Sequence, residues 1–180
     1  MMATRDAKTV ARIYILLGGF APGPDGFVTS AGMYGLEAML TALPNVVIKT
    51  YPWSDFESAA ADIAKYPQDK HILIGYSGGG WRALSLANLP SHPAIDLMVL
   101  YDPSPTWKVS LPENRIKSNV KKVISFQNSN PMFGNLGGGV IAWTPGMDVE
   151  IVPIAENHMV VQDDMSLHHR TVEEVQKIIT

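Results

Sequence analysis

His71-Ile72-Leu73-Ile74-Gly75-Tyr76-Ser77-Gly78-Gly79-Gly80 passes from an apolar, β-branched run directly into a glycine-rich turn. Apolar residues without polar alternation, closed by a turn signal, are what a strand covered on both faces looks like. The residues that follow, Trp81 to Leu89, read as a helix that Pro90 ends. Gly75, Ser77 and Gly79 satisfy the pattern G-x-S-x-G, and its place between a strand and a helix is more specific than the pattern itself. In such a turn the serine takes a strained backbone conformation, and the chain packs too closely around it to admit side chains. Two other readings fit a strand, a glycine turn and a helix. One is a purely structural turn. The other is a phosphate cradle, which lacks its G-x-G-x-x-G spacing and its Walker lysine here.

Working outward, Ile13 to Leu17 is a second buried-strand pattern, closed by Gly18-Gly19. Val46 to Thr50, Ile95 to Tyr101, Val120 to Phe126 and Val149 to Ile154 complete a set of six. Leu36, Met39, Leu40 and Leu43 recur at helical spacing before Pro44. Ser54 to Glu57 and Thr171 to Glu174 match capping boxes, predicting helix starts at those two places. Strands alternating with helices predict an α/β fold. The expectation is a three-layer α/β/α domain, residues 1–180, on a mainly parallel sheet of about six strands. Residues 128 to 146, dense in Gly and Pro, read as a long loop of functional interest.

Composition limits the chemistry. With 46% hydrophobic and 17% charged residues the chain can build a core. A net charge of −3 without a basic cluster argues against nucleic acid or an anionic membrane surface. The absence of cysteine removes disulfides, thiolate nucleophiles and cysteine-bound metals. No apolar run reaches the roughly 18 residues of a membrane span, and Ile13 to Leu17 is too short for a signal-peptide core. A soluble, cytoplasmic domain is expected.

A serine hydroxyl needs a base to take its proton and an acid to orient that base. His71 begins the strand before Ser77, and His92 follows the helix after it, so both belong at the wrong sheet edge. His168 and His169 adjoin the C-terminal helix and read as surface residues. His158 follows the last strand and is the candidate base; a lone loop histidine is otherwise a solvated side chain. Asp102 closes the fourth strand and is the candidate acid; Asp before Pro103 also forms Asx turns. Asp96 and Glu156 are its rivals. For the oxyanion, one donor is expected at Gly78 and another from the loop after the first strand, with Phe20 ahead of Gly19. Tyr76, Met132, Phe133 and Trp143 are candidates for substrate contact. Neither metal nor cofactor is required.

Leu73 to Gly80 resembles the elbow of α/β-hydrolases, and within them is most similar to thioesterase domains. Val99-Leu100-Tyr101-Asp102-Pro103-Ser104 matches the thioesterase placement of the acid, after the strand that follows the elbow helix. Glu156-Asn157-His158-Met159-Val160 resembles the histidine loop, and Leu17-Gly18-Gly19-Phe20 the oxyanion loop, without the histidine common before its glycine. The chain starts at what would be the family's third strand, as in the smallest lidless lipases. Between Asp102 and Val120 there is room for a short loop only, not for the helical lid of thioesterases. The resemblance thus implies cleavage of a carboxylic ester or thioester through an acyl-serine. The missing lid favours a small or surface-accessible ester over a carrier-protein substrate. A non-catalytic ligand-binding protein on the same fold is the alternative, and peptidase or acyltransferase chemistry would use the same three residues.

Overall fold

A computed structural model describes residues 10–19, 30–90, 92–104, 115–117, 119–128 and 142–180. Its elements in chain order are β1 (Ala11–Leu17), α1 (Ala31–Thr41), β2 (Val46–Pro52), α2 (Phe56–Lys65), β3 (Lys70–Tyr76) and α3 (Gly78–Ala87). They continue with β4 (Leu97–Tyr101), β5 (Arg115–Ile116), β6 (Lys122–Asn128), β7 (Ala142–Trp143), β8 (Asp148–Ile154) and α4 (Met165–Ile179).

Six strands form one parallel sheet in the order β2-β1-β3-β4-β6-β8. The inner strands β1, β3 and β4 are apolar over most of their length, Arg12, Lys70 and His71 lying toward their amino ends, because both their faces are covered. Alternation along each strand then divides the core in two. Ile13, Ile15, Ile72, Ile74, Val99 and Tyr101 pack on one side with Met33, Leu36 and Leu40 of α1 and Val175 of α4. Tyr14, Leu16, Leu73, Met98 and Leu100 pack on the other with Ile63 of α2 and Trp81, Leu84 and Leu86 of α3. This is the three-layer arrangement expected from sequence.

The strand order reverses at β1. The chain leaves β1 for its outer neighbour β2, then returns to lay β3 on β1's other side. The carboxyl ends of β1 and β3, which carry Gly18-Gly19 and Ser77, therefore meet at a topological switch point, where open α/β sheets bind ligands.

Four local expectations need correction. The capping box at Ser54 is absent: Trp53–Asp55 is a 3₁₀ turn, and α2 follows Asp55 without a side-chain cap. The C-terminal helix does not begin at Thr171. It begins at Met165, where Asp164 accepts from the N–H groups of Ser166 (2.7 Å) and Leu167 (3.3 Å). Thr171 lies inside that helix, its hydroxyl donating to Leu167 O and sharing a hydrogen bond with the Tyr101 hydroxyl at 2.6 Å. Helix α3 starts three residues early, directly after Ser77, because packing overrides the poor helix propensity of Gly78-Gly79-Gly80. Finally, residues 128 to 146 are not wholly loop. Asn128 ends β6, and Ala142–Trp143 pairs in parallel with Arg115–Ile116 as a two-stranded ribbon.

Candidate active site

Ser77 sits between β3 and α3 with φ 53° and ψ −122°. A positive φ on a residue with a side chain costs on the order of 1–3 kcal/mol and survives only where the surroundings enforce it. Here they do. The Ser77 N–H donates to Tyr101 O at 3.0 Å, while its carbonyl accepts from the N–H groups of Gly80 and Ser104, both at 3.0 Å. The glycines are sterically required. A Cβ on Gly79 would lie 2.0 Å from Leu16 O, one on Gly75 2.6 Å from Gly79 O, and one on Gly80 2.8 Å from Pro103 Cβ. The turn thus exists only because glycines let these segments approach so closely.

Asp102 terminates β4, and its N–H continues the ladder to Phe126 O at 2.8 Å. Its own positive φ of 43° aims the carboxylate across the carboxyl edge of the sheet. One oxygen, Oδ1, accepts from the Asn128 N–H at 3.1 Å; the other, Oδ2, lies 2.6 Å from His158 Nδ1. An Asx turn is not formed, because the Ser104 N–H goes to Ser77 O instead.

His158 follows β8. Its Nε2 lies 2.9 Å from Ser77 Oγ. A carboxylate can only accept, so Nδ1–H donates to Asp102, which leaves Nε2 free to accept the Ser77 hydroxyl proton. Exposure falls from 8% at Ser77 through 3% at His158 to 1% at Asp102, so the row opens to solvent at the serine alone. Ser77, Asp102 and His158, singled out in sequence, are therefore brought together in one hydrogen-bonded line.

The rival acids are elsewhere. Asp96 accepts from the His71 N–H and from Lys121 Nζ at the amino edge of the sheet. Glu156 makes no hydrogen bond to His158 among the described residues. His71 is at the amino edge, as expected, with Nε2 on Tyr66 O at 3.0 Å. His169 is exposed, but His168 is not a surface residue: it is buried, with Nε2 2.7 Å from Gln162 O. Position next to a helix did not reveal which face each histidine would occupy.

The expected substrate contacts fare differently. Tyr76 is buried and does not line an open site. Its hydroxyl donates to His158 O at 3.0 Å, and its ring tilts against the imidazole at 5.5 Å. Burial pushes its phenol pKa upward, which keeps that proton in place as a donor. Trp143 belongs to the β5–β7 ribbon. Lys117, next to β5, donates to Asn88 at the end of α3 remote from Ser77, roughly 15 Å along a ten-residue helix. Trp143 is thus carried to the amino side of the sheet. Phe20, Met132 and Phe133 lie outside the described residues. Gly78 opens α3 beside Ser77, and Gly19 follows Gly18, whose Cβ, if present, would lie 2.8 Å from Ser77 Cβ.

Trp53, which sequence did not single out, is buried after β2 with its indole against Gly19. Arg82 holds it from below, donating Nε–H to Trp53 O at 3.2 Å and stacking on Phe56 at 4.1 Å. No group of three or more metal-ligating side chains occurs among the described residues. None of their helices is long and apolar enough to cross a membrane.

No protein-family model and no curated protein matches the sequence. Solved structures do. The chain is similar to an esterase domain from Rhodothermus marinus (TM-score 0.60, 14% identity, 96% of this chain and 89% of that one). It is also similar to a protein from Agrobacterium tumefaciens described as a putative α/β hydrolase (TM-score 0.56, 15% identity, 96% and 88%). A third is the Vlm2 thioesterase domain, solved with a bound dodecadepsipeptide (TM-score 0.53, 11% identity, 93% and 92%). Together with the six parallel strands, the reversal at β1 and the Ser77 turn, these likenesses give the chain the α/β-hydrolase fold.

Proposed function

We propose that the protein is a serine hydrolase that cleaves a carboxylic ester or thioester through an acyl-Ser77 intermediate. The observation that carries this reading is the unbroken row Ser77 Oγ–His158 Nε2, His158 Nδ1–Asp102 Oδ2, with spacings of 2.9 and 2.6 Å. A buried structural serine has no use for a strained φ, an imidazole acceptor and a carboxylate behind it. Nucleophilic catalysis needs all three.

In the first half-reaction Ser77 Oγ attacks the acyl carbon while His158 Nε2 takes the hydroxyl proton. The carbonyl π pair moves onto oxygen, which is stabilised by the N–H of Gly78, at the positive end of α3, and by the loop after β1. Asp102 holds the Nδ1–H and stabilises the imidazolium without taking its proton. Collapse of the adduct breaks the bond to the alkoxide or thiolate, which leaves with the proton from Nε2. Water then repeats the sequence, delivering the acid and restoring Ser77 Oγ–H.

The cytoplasm is the compartment we assign to it, and a small acyl ester or thioester the substrate class. An activity screen of p-nitrophenyl esters of increasing chain length against acyl-CoA thioesters tests the reading. Turnover is expected on one series, falling by about a thousandfold or more in Ser77→Ala and His158→Ala. Full turnover in folded Ser77→Ala would sink it. Ligand binding indifferent to that substitution, with no turnover by wild type, would favour a non-catalytic binding protein.

A further inference from the structure

Ser30 stands at the N-terminal boundary of α1, where a serine ordinarily caps the helix by accepting from its first free N–H groups. Its side chain makes no such bond. It is fully buried at 0% exposure, and its hydroxyl donates instead to Gly18 O, 3.0 Å away and 12 residues earlier. Helix α1 thus forgoes a cap to hold one peptide.

That peptide is at the site. Gly18 is pressed on Ser77 and Tyr76: a Cβ there would lie 2.8 Å from Ser77 Cβ and 2.9 Å from Tyr76 O. On its other side Gly19, at φ 152°, faces the Trp53 indole, with Nε1 3.8 Å from where a Cβ would stand. A trans peptide is planar, so the Gly18 carbonyl and the Gly19 N–H form one rigid unit pointing in opposite directions. Fixing the carbonyl fixes the N–H. The Gly19 N–H makes no backbone hydrogen bond among the described residues. Gly19 is half-buried, so that N–H is accessible to water or to a ligand.

We propose that Ser30 is a positioning residue whose hydroxyl sets the plane of the Gly18–Gly19 peptide and so aims the Gly19 N–H at the oxyanion. The proposal rests on the acyl-Ser77 reading. A donor oriented before the reaction costs no reorganisation when charge develops, and its benefit is confined to the transition state.

The test compares wild type, Ser30→Ala and Ser30→Thr as full chains on the best p-nitrophenyl ester. It reads kcat per phosphonate-titrated active site, KM, inhibition by an alkylboronic acid, and thermal midpoint. In Ser30→Ala kcat per active site is expected to fall about ten- to a hundredfold with KM unchanged. The boronate, which forms a tetrahedral adduct on the serine, should weaken by a similar factor. Ser30→Thr, which keeps the hydroxyl, should recover most of the rate. An unchanged kcat per active site in Ser30→Ala overturns the proposal, whether or not the thermal midpoint falls, because a purely structural role would act only through the folded fraction. Wild-type protein inert toward every ester and toward phosphonate instead overturns the acyl-Ser77 reading, and this role with it.

Discussion

Tyr76 holds the histidine from two directions, by a hydrogen bond to its main-chain oxygen and by ring contact with its imidazole. Because the residue before the serine points away from the crevice, it reaches the loop that carries His158. Tyr76→Phe removes only the hydroxyl. The main-chain oxygen of His158 then loses a buried partner, at a stability cost of about 1 kcal/mol. The imidazole gains freedom, and kcat should fall on the order of tenfold with KM little changed, since small misplacements of a reacting group are costly. Steady-state kinetics with a thermal melt check this; an unaltered kcat would mean that ring packing alone holds the loop. The meeting of Ser77, Asp102 and His158 was legible in sequence because the first two directly follow strands and the third lies in the loop after one. The role of Tyr76 was not, since nothing local says which way a side chain in the elbow turns. Trp143 misled for a related reason: its glycine-rich neighbourhood suggested a loop at the site, while a two-residue pairing carries it to the opposite edge.

Among the elements, α1 shows how one helix can carry two glycines with opposite meanings. Gly32 lies against the 3₁₀ turn Val161–Asp163, and a Cβ there would meet Gln162 O at 2.0 Å. Gly35 is exposed, with nothing within 4 Å of its would-be Cβ. Gly35→Ala should therefore stabilise the protein by about 0.5–1 kcal/mol, raising the thermal midpoint by roughly 2–4 °C or less. Gly32→Ala should lower it, because backbone must move. Melting both variants decides the matter, and a fall in Gly35→Ala would contradict the environment described. The strands were legible because burial on both faces writes continuous apolar runs. The helix ends were less so. Ser54 and Thr171 match capping patterns that tertiary structure ignores, whereas Asp164 caps α4 with an ordinary Asp signal, followed by Ser166, that a search for Ser/Thr boxes passes over.

At the scale of the whole molecule, stability is tied to histidines unrelated to the site. Burial depresses the pKa of His71 and of His168 below their ordinary value of 6.5, outweighing the backbone carbonyls that each contacts. The folded state therefore binds fewer protons than the unfolded chain once pH falls through about 6.5. The contribution of these two groups to stability is level above that value and declines as pH drops below it. His168→Gln, which keeps a donor for Gln162 O, should flatten part of that decline in thermal midpoints measured from pH 8 to 5. A slope identical to wild type would count against the burial described.

The same sheet that buries these groups gathers Gly18, Ser77, Asp102 and His158 at one carboxyl edge, and that convergence is the basis of the functional reading. It is tested most directly by covalent capture. A fluorophosphonate added to the folded protein should give one adduct per chain by intact mass, mapped to Ser77. It should be absent in Ser77→Ala and form far more slowly in His158→Ala. Folded wild-type protein that remains unmodified, or that carries the adduct on another residue, would contradict the account.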